Sequence, residues 1–315
     1  MTDHVVLGKG QIGSTVAAIL AEQGERVRVL SRSGGRSTPG IEHVKVDARD
    51  PQALTAASAG ADVIYNCLNP AGYHQWAQEW PPMFAAILAA ARAGGASLVN
   101  TGNLYVYGPV TEPMTERTPL RSPGEKGRIR IRMWNDAMAL HEQGDIRFTE
   151  ARGSDYFGPG ALADAMLGER IVRPVVEDKI VSVVGDPDAP HSFTYIPDVA
   201  SALVRLGGDD RAWGRPWHVP TAPARSMREM IGAMAGVLGR EPAPIRRLPW
   251  WVLIHAIGAF QPHLRGLKET RHQWDGPYIM ESADFTEVFG DKPTDTDTAL
   301  AETLEWWGER PAALR

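Results

Sequence analysis

Apolar positions in this chain come as short runs and helical stripes that alternate through the first half. His4-Val5-Val6-Leu7 is a run of the kind that a parallel sheet buries on both faces. Ile12, Val16, Ile19 and Leu20 follow at helical spacing, Gly24 stops that helix, and Arg26-Val27-Arg28-Val29-Leu30 reads as a second strand. Further strands are predicted over 42–46, 62–66, 97–101 and 146–151. Asp50 before Pro51 reads as an N-cap with proline at the first helical position, opening a helix to about Ser58. Residues 67–80 read as a loop, after which Pro81 and Pro82 open an alanine-rich helix that ends before Gly94-Gly95. A long helix is predicted over 126–141. Strands alternating with helices in this way predict an α/β fold, a doubly wound parallel sheet with helices on both faces.

Past residue 160 the alternation breaks up. Ser226-Met227-Arg228-Glu229 is a capping box opening a helix to about Leu238, residues 250–260 read as a buried helix, and 294–307 as an amphipathic closing helix. The division predicted is a domain over 1–160, to which 190–207 returns, and a smaller C-terminal α/β domain over 161–315 that binds substrate.

The turn after the first strand is Gly8-Lys9-Gly10-Gln11-Ile12-Gly13. Strand, glycine-rich turn and helix in this order have the logic of a dinucleotide site. Gly8 makes the turn, Gly10 lets backbone approach a pyrophosphate, Gly13 lets helix pack on strand, and the helix N-terminus offers N–H groups to the anion. A plain βα turn is the alternative. The second strand ends in Ser31-Arg32-Ser33, with Arg36 close behind and no acidic residue, which suits the 2′-phosphate of NADP(H) better than the bare ribose of NAD(H). Ligands in such sheets sit beyond the carboxyl ends of the strands. That rule adds Asp47 and Ala48, Cys67, Leu68 and Asn69, Thr101, and Gly153 and Ser154 to the predicted cofactor site.

Composition narrows the partners. The 315 residues carry a net charge of −5 with no basic run, which argues against nucleic acid. The single cysteine, Cys67, excludes an intrachain disulfide and fits a reducing, cytoplasmic setting. No apolar stretch approaches the roughly 20 residues needed to span a bilayer. The nine histidines show no metal-ligand spacing, and no Gly-x-Ser-x-Gly elbow supports a hydrolase. A small-molecule substrate and a homodimer are compatible with all of this.

Three later segments join the glycine turn to make a resemblance. Asn103-Leu104-Tyr105-Val106-Tyr107-Gly108-Pro109 is similar to a Ser-…-Val-Tyr-Gly turn, and Arg152-Gly153-Ser154-Asp155-Tyr156-Phe157-Gly158-Pro159-Gly160 to an Arg-…-Tyr-Gly-Pro-Gly segment. Tyr195-Ile196-Pro197-Asp198-Val199-Ala200 is similar to Tyr-Val-Asp-Asp-Val-Ala. With Val46-Asp47, these resemble the extended short-chain dehydrogenase/reductase superfamily, of the NAD(P)-dependent epimerase/dehydratase type, over nearly the whole chain. The resemblance implies a Rossmann-like cofactor domain and a nicotinamide cofactor. It also implies catalysis by a Ser or Thr after the fifth strand and a Tyr-x-x-x-Lys on the next helix.

Here the chain departs from the pattern. None of its seven tyrosines has a lysine four residues later. Matching Gly127 to the glycine of Tyr-Gly-x-x-Lys puts Lys126 at the tyrosine position and Arg130 at the lysine position, while Asn103 takes the serine position. The turn also resembles that of the progesterone 5β-reductase and iridoid synthase branch, but Leu104 stands where that branch has lysine.

The resemblance therefore implies an atypical member with Lys126 as proton donor, Arg130 holding the nicotinamide ribose and Asn103 positioning a substrate oxygen. Tyr105 and Tyr156 are the phenols near the implied site. The competing reading of Lys126, Arg128, Arg130 and Arg132 is a solvated basic helix face, and Tyr73, Trp76 and Trp80 read equally as an aromatic wall or as core. The reading favoured is an NADP(H)-dependent reductase. A sugar epimerase or dehydratase and a silent NADP-binding sensor are the rivals.

Overall fold

Strand β1 (Asp3–Leu7) is an inner strand of a seven-stranded parallel sheet, flanked by β2 (Arg26–Ser31) and β4 (Val63–Asn66). His4 faces Val27 on one side and Val63 on the other. Val5 and Val6 are wholly buried, as an apolar run between two helical layers must be. The computed structural model describes residues 1–162, 165–257 and 266–309. The sheet runs from β3 (Ile41–Lys45) through β2, β1 and β4 to β5 (Ser97–Asn103), β6 (Phe148–Gly153) and a last strand, Pro216–His218. Strand order reverses between β1 and β4, so the connections leave to opposite sides there and open a crevice at the carboxyl ends. The seventh strand is absent from the sequence reading. It is three residues long and opens on a proline, yet Trp217 and His218 are fully buried in it.

Helix α1 (Gln11–Glu22) follows β1, and α2 (Pro51–Ser58) is capped by Asp50. The Asp50 carboxylate accepts from the Gln52 and Ala53 N–H groups at 3.0 Å, as the Asp-Pro pair predicts. Helix α3 corrects the sequence reading. It spans Trp76–Gly94, so Pro81 and Pro82 lie inside it rather than at its start, and the preceding loop already coils at Tyr73–Gln75. Interior prolines each remove a helical hydrogen bond at a cost of about 3 kcal/mol. What offsets this is the i, i+4 pair Trp76 and Trp80, both buried on one face of the helix. Helix α4 (Glu125–Glu142) precedes β6.

The chain divides into two compact units. The first comprises Met1–Gly108, Pro119–Arg152 and Val199–Val219, and the second Pro109–Thr118, Gly153–Asp198 and Pro220–Arg315. This moves the predicted division: 109–118 and 153–160 belong with the second unit, and the returning segment is 199–219. The second unit packs the helices Glu169–Val176, Met227–Val237 and Thr296–Glu309 around a core that includes Phe157, Phe193, Met230 and Trp307. Its strands are short pairs such as Asp155–Phe157 on Phe193–Tyr195. The predicted capping box is present, Glu229 N–H donating to Ser226 Oγ at 3.2 Å and Ser226 N–H to the Glu229 carboxylate at 2.6 Å. The helix predicted over 250–260 is a π-helix at Val252–Ile257 with Trp251 exposed before it, and its last three positions lie outside the described residues.

Candidate active site

The glycine turn is built by close approach. Gly8, at φ +99°, donates its N–H to the Leu30 carbonyl at 2.9 Å, and a Cβ there would stand 3.0 Å from the Cys67 carbonyl oxygen. A Cβ at Gly13 would lie 2.1 Å from the Gly8 carbonyl oxygen, so both positions require glycine for helix and strands to meet. Gly10 differs. Its backbone is ordinary (φ −71°), and a Cβ there would meet nothing within 4 Å. It caps α1 with no side-chain cap, and the first-turn N–H groups of a helix, here those of Ile12 and Gly13 among them, are left over from the helical ladder. An open space before an uncapped helix N-terminus is a cradle that a Cβ at Gly10 would fill. The donors fit the pyrophosphate of a dinucleotide.

At the end of β2, Ser31 is buried and donates through Oγ to the Gly34 carbonyl at 3.3 Å, while Arg32 and Ser33 are exposed. Sequence reasoning missed Lys9. Its Nζ donates to the same Gly34 carbonyl at 2.7 Å, so a cation from the glycine turn reaches the loop that carries Arg32. The sequence signal was present, a lysine immediately before the second glycine. Asp47 and Ala48, half-buried, follow β3. Hydrogen bonds from Arg49, with a smaller contribution from the Arg32 charge, hold the Asp47 carboxyl at about 2.

Beyond β4 and β5, Thr101 Oγ1 lies 3.7 Å from Cys67 Sγ, and burial pushes the Cys67 thiol up to about 12. This direction disfavours the reactive thiolate. Leu68 N–H donates to Asn66 Oδ1 at 3.2 Å, and Asn69 is exposed. Beneath these strand ends runs a buried polar chain that the sequence did not reveal. Asn66 donates to Asn100 and Asn100 to Glu150, each at 2.7 Å. Arg152 donates to Glu150 at 2.7 Å and to the Tyr107 hydroxyl at 3.0 Å, and that hydroxyl meets His218 Nε2 at 2.7 Å.

Helix α4 does not form a uniformly solvated basic face. Lys126 and Arg130 are 4% and 6% exposed, whereas Arg128 and Arg132 face solvent. Gly127 permits this. A Cβ there would lie 1.9 Å from Ser122 Oγ and 2.4 Å from the Tyr105 carbonyl oxygen, so the helix presses directly on the turn after β5. The Arg130 guanidinium lies between the rings of Trp76 (4.9 Å) and Trp80 (4.5 Å) and donates to the Thr101 carbonyl at 3.3 Å. Desolvated cation–π contacts are worth about 2 kcal/mol each, which offsets burial of the charge. Trp76 and Trp80 are thus core residues and not a substrate wall, while Tyr73 stays half-buried. The Lys126 ammonium lies 4.9 Å from the Tyr73 ring centroid, and the Tyr73 hydroxyl is 2.6 Å from that of Tyr105. Asn103 spends its side-chain oxygen on the turn, accepting from Tyr105 N–H at 3.1 Å.

The remaining predicted residues belong to the second unit. Tyr156 is half-buried in the strand Asp155–Phe157. A Cβ at Gly153 would lie 2.5 Å from its ring, and Ser154 N–H donates to Thr194 Oγ1 at 2.9 Å. The structure therefore brings Lys126, Arg130, Tyr105, Asn103 and Thr101 together in the first unit, with Tyr73 added, and places Gly153, Ser154 and Tyr156 in the second. Among the described residues no group of His, Cys, Asp and Glu is arranged to hold a metal, and no helix is long and apolar enough to cross a membrane.

A glycine-turned βαβ unit at the reversal point of a 3-2-1-4-5-6 parallel sheet defines a Rossmann-type dinucleotide-binding protein. The chain belongs to the NAD dependent epimerase/dehydratase family, whose model matches residues 5–216. Among solved structures it is similar to a dTDP-glucose 4,6-dehydratase from Bacillus anthracis in complex with NAD (17% identity, 98% of this chain and 97% of that one, TM-score 0.80). It is similar also to a UDP-glucuronic acid 4-epimerase from Bacillus cereus in complex with UDP-glucuronic acid and NAD (14% identity, 98% and 99%, TM-score 0.80). At these identities the likeness is one of fold. No curated protein matches the sequence.

Proposed function

We propose that this family member is an NADP(H)-dependent reductase of a small molecule, with a proton-handling group that differs from the usual Tyr-x-x-x-Lys. The observation that carries the cofactor choice is the end of β2. Lys9 reaches the 31–36 loop that carries Arg32, and that loop holds no carboxylate to accept from a ribose 2′-hydroxyl or to repel a 2′-phosphate. The cofactor, when bound, supplies hydride chemistry. The chain's own part is to hold the pyrophosphate at Gly10 to Gly13, to fix Arg130 between two indoles for the ribose, and to bring Lys126 and Tyr105 to the end of β5. Asn103, its oxygen spent on the turn, retains only the role of a positioner.

A sugar-nucleotide epimerase or dehydratase is the second reading, favoured by the chemistry of the neighbours that share this fold. One experiment separates the two. The protein is incubated with NADPH and a panel of aldehydes, enones and cyclic imines, and in parallel with UDP-glucuronic acid or dTDP-glucose and NAD. Net loss of nicotinamide absorbance with one of the panel supports the reductase. Conversion of a sugar nucleotide without net cofactor turnover replaces it with the second reading. Neither activity, with cofactor bound, leaves a silent binder. Lys126→Met should leave NADPH affinity intact and reduce turnover by about 10²–10⁴.

A further inference from the structure

We propose that the proton donor of this site is a pair of phenols, Tyr73 and Tyr105, with Lys126 as the cation that supports their ionised form. The inference deepens the reductase reading and rests on it for the reaction served. Tyr73 comes from the 3₁₀ turn Tyr73–Gln75 that leads into α3, and Tyr105 from the turn Leu104–Val106 after β5. Their hydroxyl oxygens are 2.6 Å apart, a close hydrogen bond in which either phenol can be the donor. Both rings are half-buried, so the pair is neither sealed in the core nor free in water.

The surroundings favour negative charge on the pair. The Lys126 ammonium stands 4.9 Å from the Tyr73 centroid. Trp76 lies against both rings, at 5.3 Å from Tyr73 and 6.1 Å from Tyr105, and also meets Trp80 and the Arg130 guanidinium. Two cations from α4 thus stand near the phenols, Lys126 at the Tyr73 ring and Arg130 on the indole that touches both. Loss of one proton leaves a phenolate that accepts from the remaining hydroxyl, with the Lys126 ammonium at the Tyr73 ring, and both effects stabilise the ionised form. This is the task that a Tyr-x-x-x-Lys pair performs on one helix. Here the phenols would come from two turns, and the lysine stands where the helix tyrosine would be.

The step balances. As a carbonyl carbon gains a hydride from a reduced nicotinamide dinucleotide, the carbonyl oxygen takes the proton of one phenol. That O–H bond breaks, and the phenolate is held by the second hydroxyl and Lys126. A proton from solution then restores the phenol, so each turnover consumes one proton. The carbonyl is reduced to an alcohol and the dinucleotide is oxidised.

Nitration tests the pair without a known substrate, because tetranitromethane attacks phenolate. The full-length protein is treated at about pH 8, below the ordinary phenol range near 10, and nitrotyrosine is located by peptide mass spectrometry. Tyr73 or Tyr105 should react at least about tenfold faster than the half-buried Tyr156, and Tyr73→Phe should return Tyr105 to the rate of Tyr156. Lys126→Met should slow the pair by about tenfold, the equivalent of one pKa unit, while Lys126→Arg should keep most of the rate. Equal nitration of all three tyrosines, or a rate at the pair that Lys126→Met leaves unchanged, overturns the proposal. Nicotinamide fluorescence of bound NADPH in the same samples reads the oxidoreductase assignment separately. Fast nitration without NADPH binding keeps the pair and removes the reductase reading, and NADPH binding with uniform nitration does the reverse.

Discussion

Replacing Gly10 and Gly13 in turn separates the fold from the cofactor site. A Cβ at Gly13 would sit 2.1 Å from the Gly8 carbonyl oxygen, where ordinary contact begins at 3.4 Å, and that oxygen is backbone and cannot rotate away. Gly13→Ala must push α1 off the β1 turn by more than an ångström, an overpacking that costs about 1–3 kcal/mol. A Cβ at Gly10 meets nothing within 4 Å and the backbone there suits any residue, so Gly10→Val loses only the modest preference for glycine at an N-cap, about 1 kcal/mol or less. For the cofactor the order inverts. The valine occupies the space before the helix N-terminus, and losing two charge-assisted N–H contacts to a pyrophosphate at about 1.5–3 kcal/mol each weakens binding by a factor of at least about 100. Urea unfolding followed by tryptophan fluorescence gives the first quantity, and titration with NADPH gives the second. A folded Gly10→Val protein with unchanged NADPH affinity would refute the pyrophosphate assignment. A Gly13→Ala protein as stable as the parent would refute the steric account.

Two more outcomes follow from the first unit. The Arg152–Glu150 pair is 2.7 Å apart with side chains 1% and 2% exposed, so Glu150→Gln or Arg152→Met alone should cost about 3–5 kcal/mol, and the double substitution Glu150→Leu/Arg152→Met less than the sum, by urea unfolding. The Asp47 carboxyl, held at about 2 chiefly by Arg49, contributes stability that is present above the ordinary aspartate value near 3.9 and fades as pH falls through about 2. Arg49→Ala should return its NMR titration to the ordinary value.

Local signals carried most of the fold. The Asp50-Pro51 cap, the Ser226–Glu229 capping box and the β1 to β2 unit are each specified within a few residues, and the structure has them where the sequence puts them. The start of α3 was hidden because Pro81-Pro82 is a strong local start signal, and only the burial of Trp76 and Trp80 against Arg130 outweighs it. The last strand was too short to show a period. In the site, the glycine turn was legible because its geometry is local. The contact of Tyr73 with Tyr105, 32 residues away, and that of Tyr107 with His218, 111 residues away, have no local signature. Residue type suggested Lys126 and Arg130, but their burial depends on Gly127 meeting the Tyr105 carbonyl.

We propose that the Gly8–Gly13 turn and the β2 end form one NADP(H) site, and equilibrium titration of the protein with NADPH and NADH tests it. A charge-assisted contact to the 2′-phosphate from Arg32, backed by Lys9, is worth about 1.5–3 kcal/mol, so NADPH should bind about 10 to 150 times more tightly. Arg32→Ala should close most of that gap and leave NADH affinity nearly unchanged. Equal affinities in the parent protein, or a preference for NADH, would contradict the account.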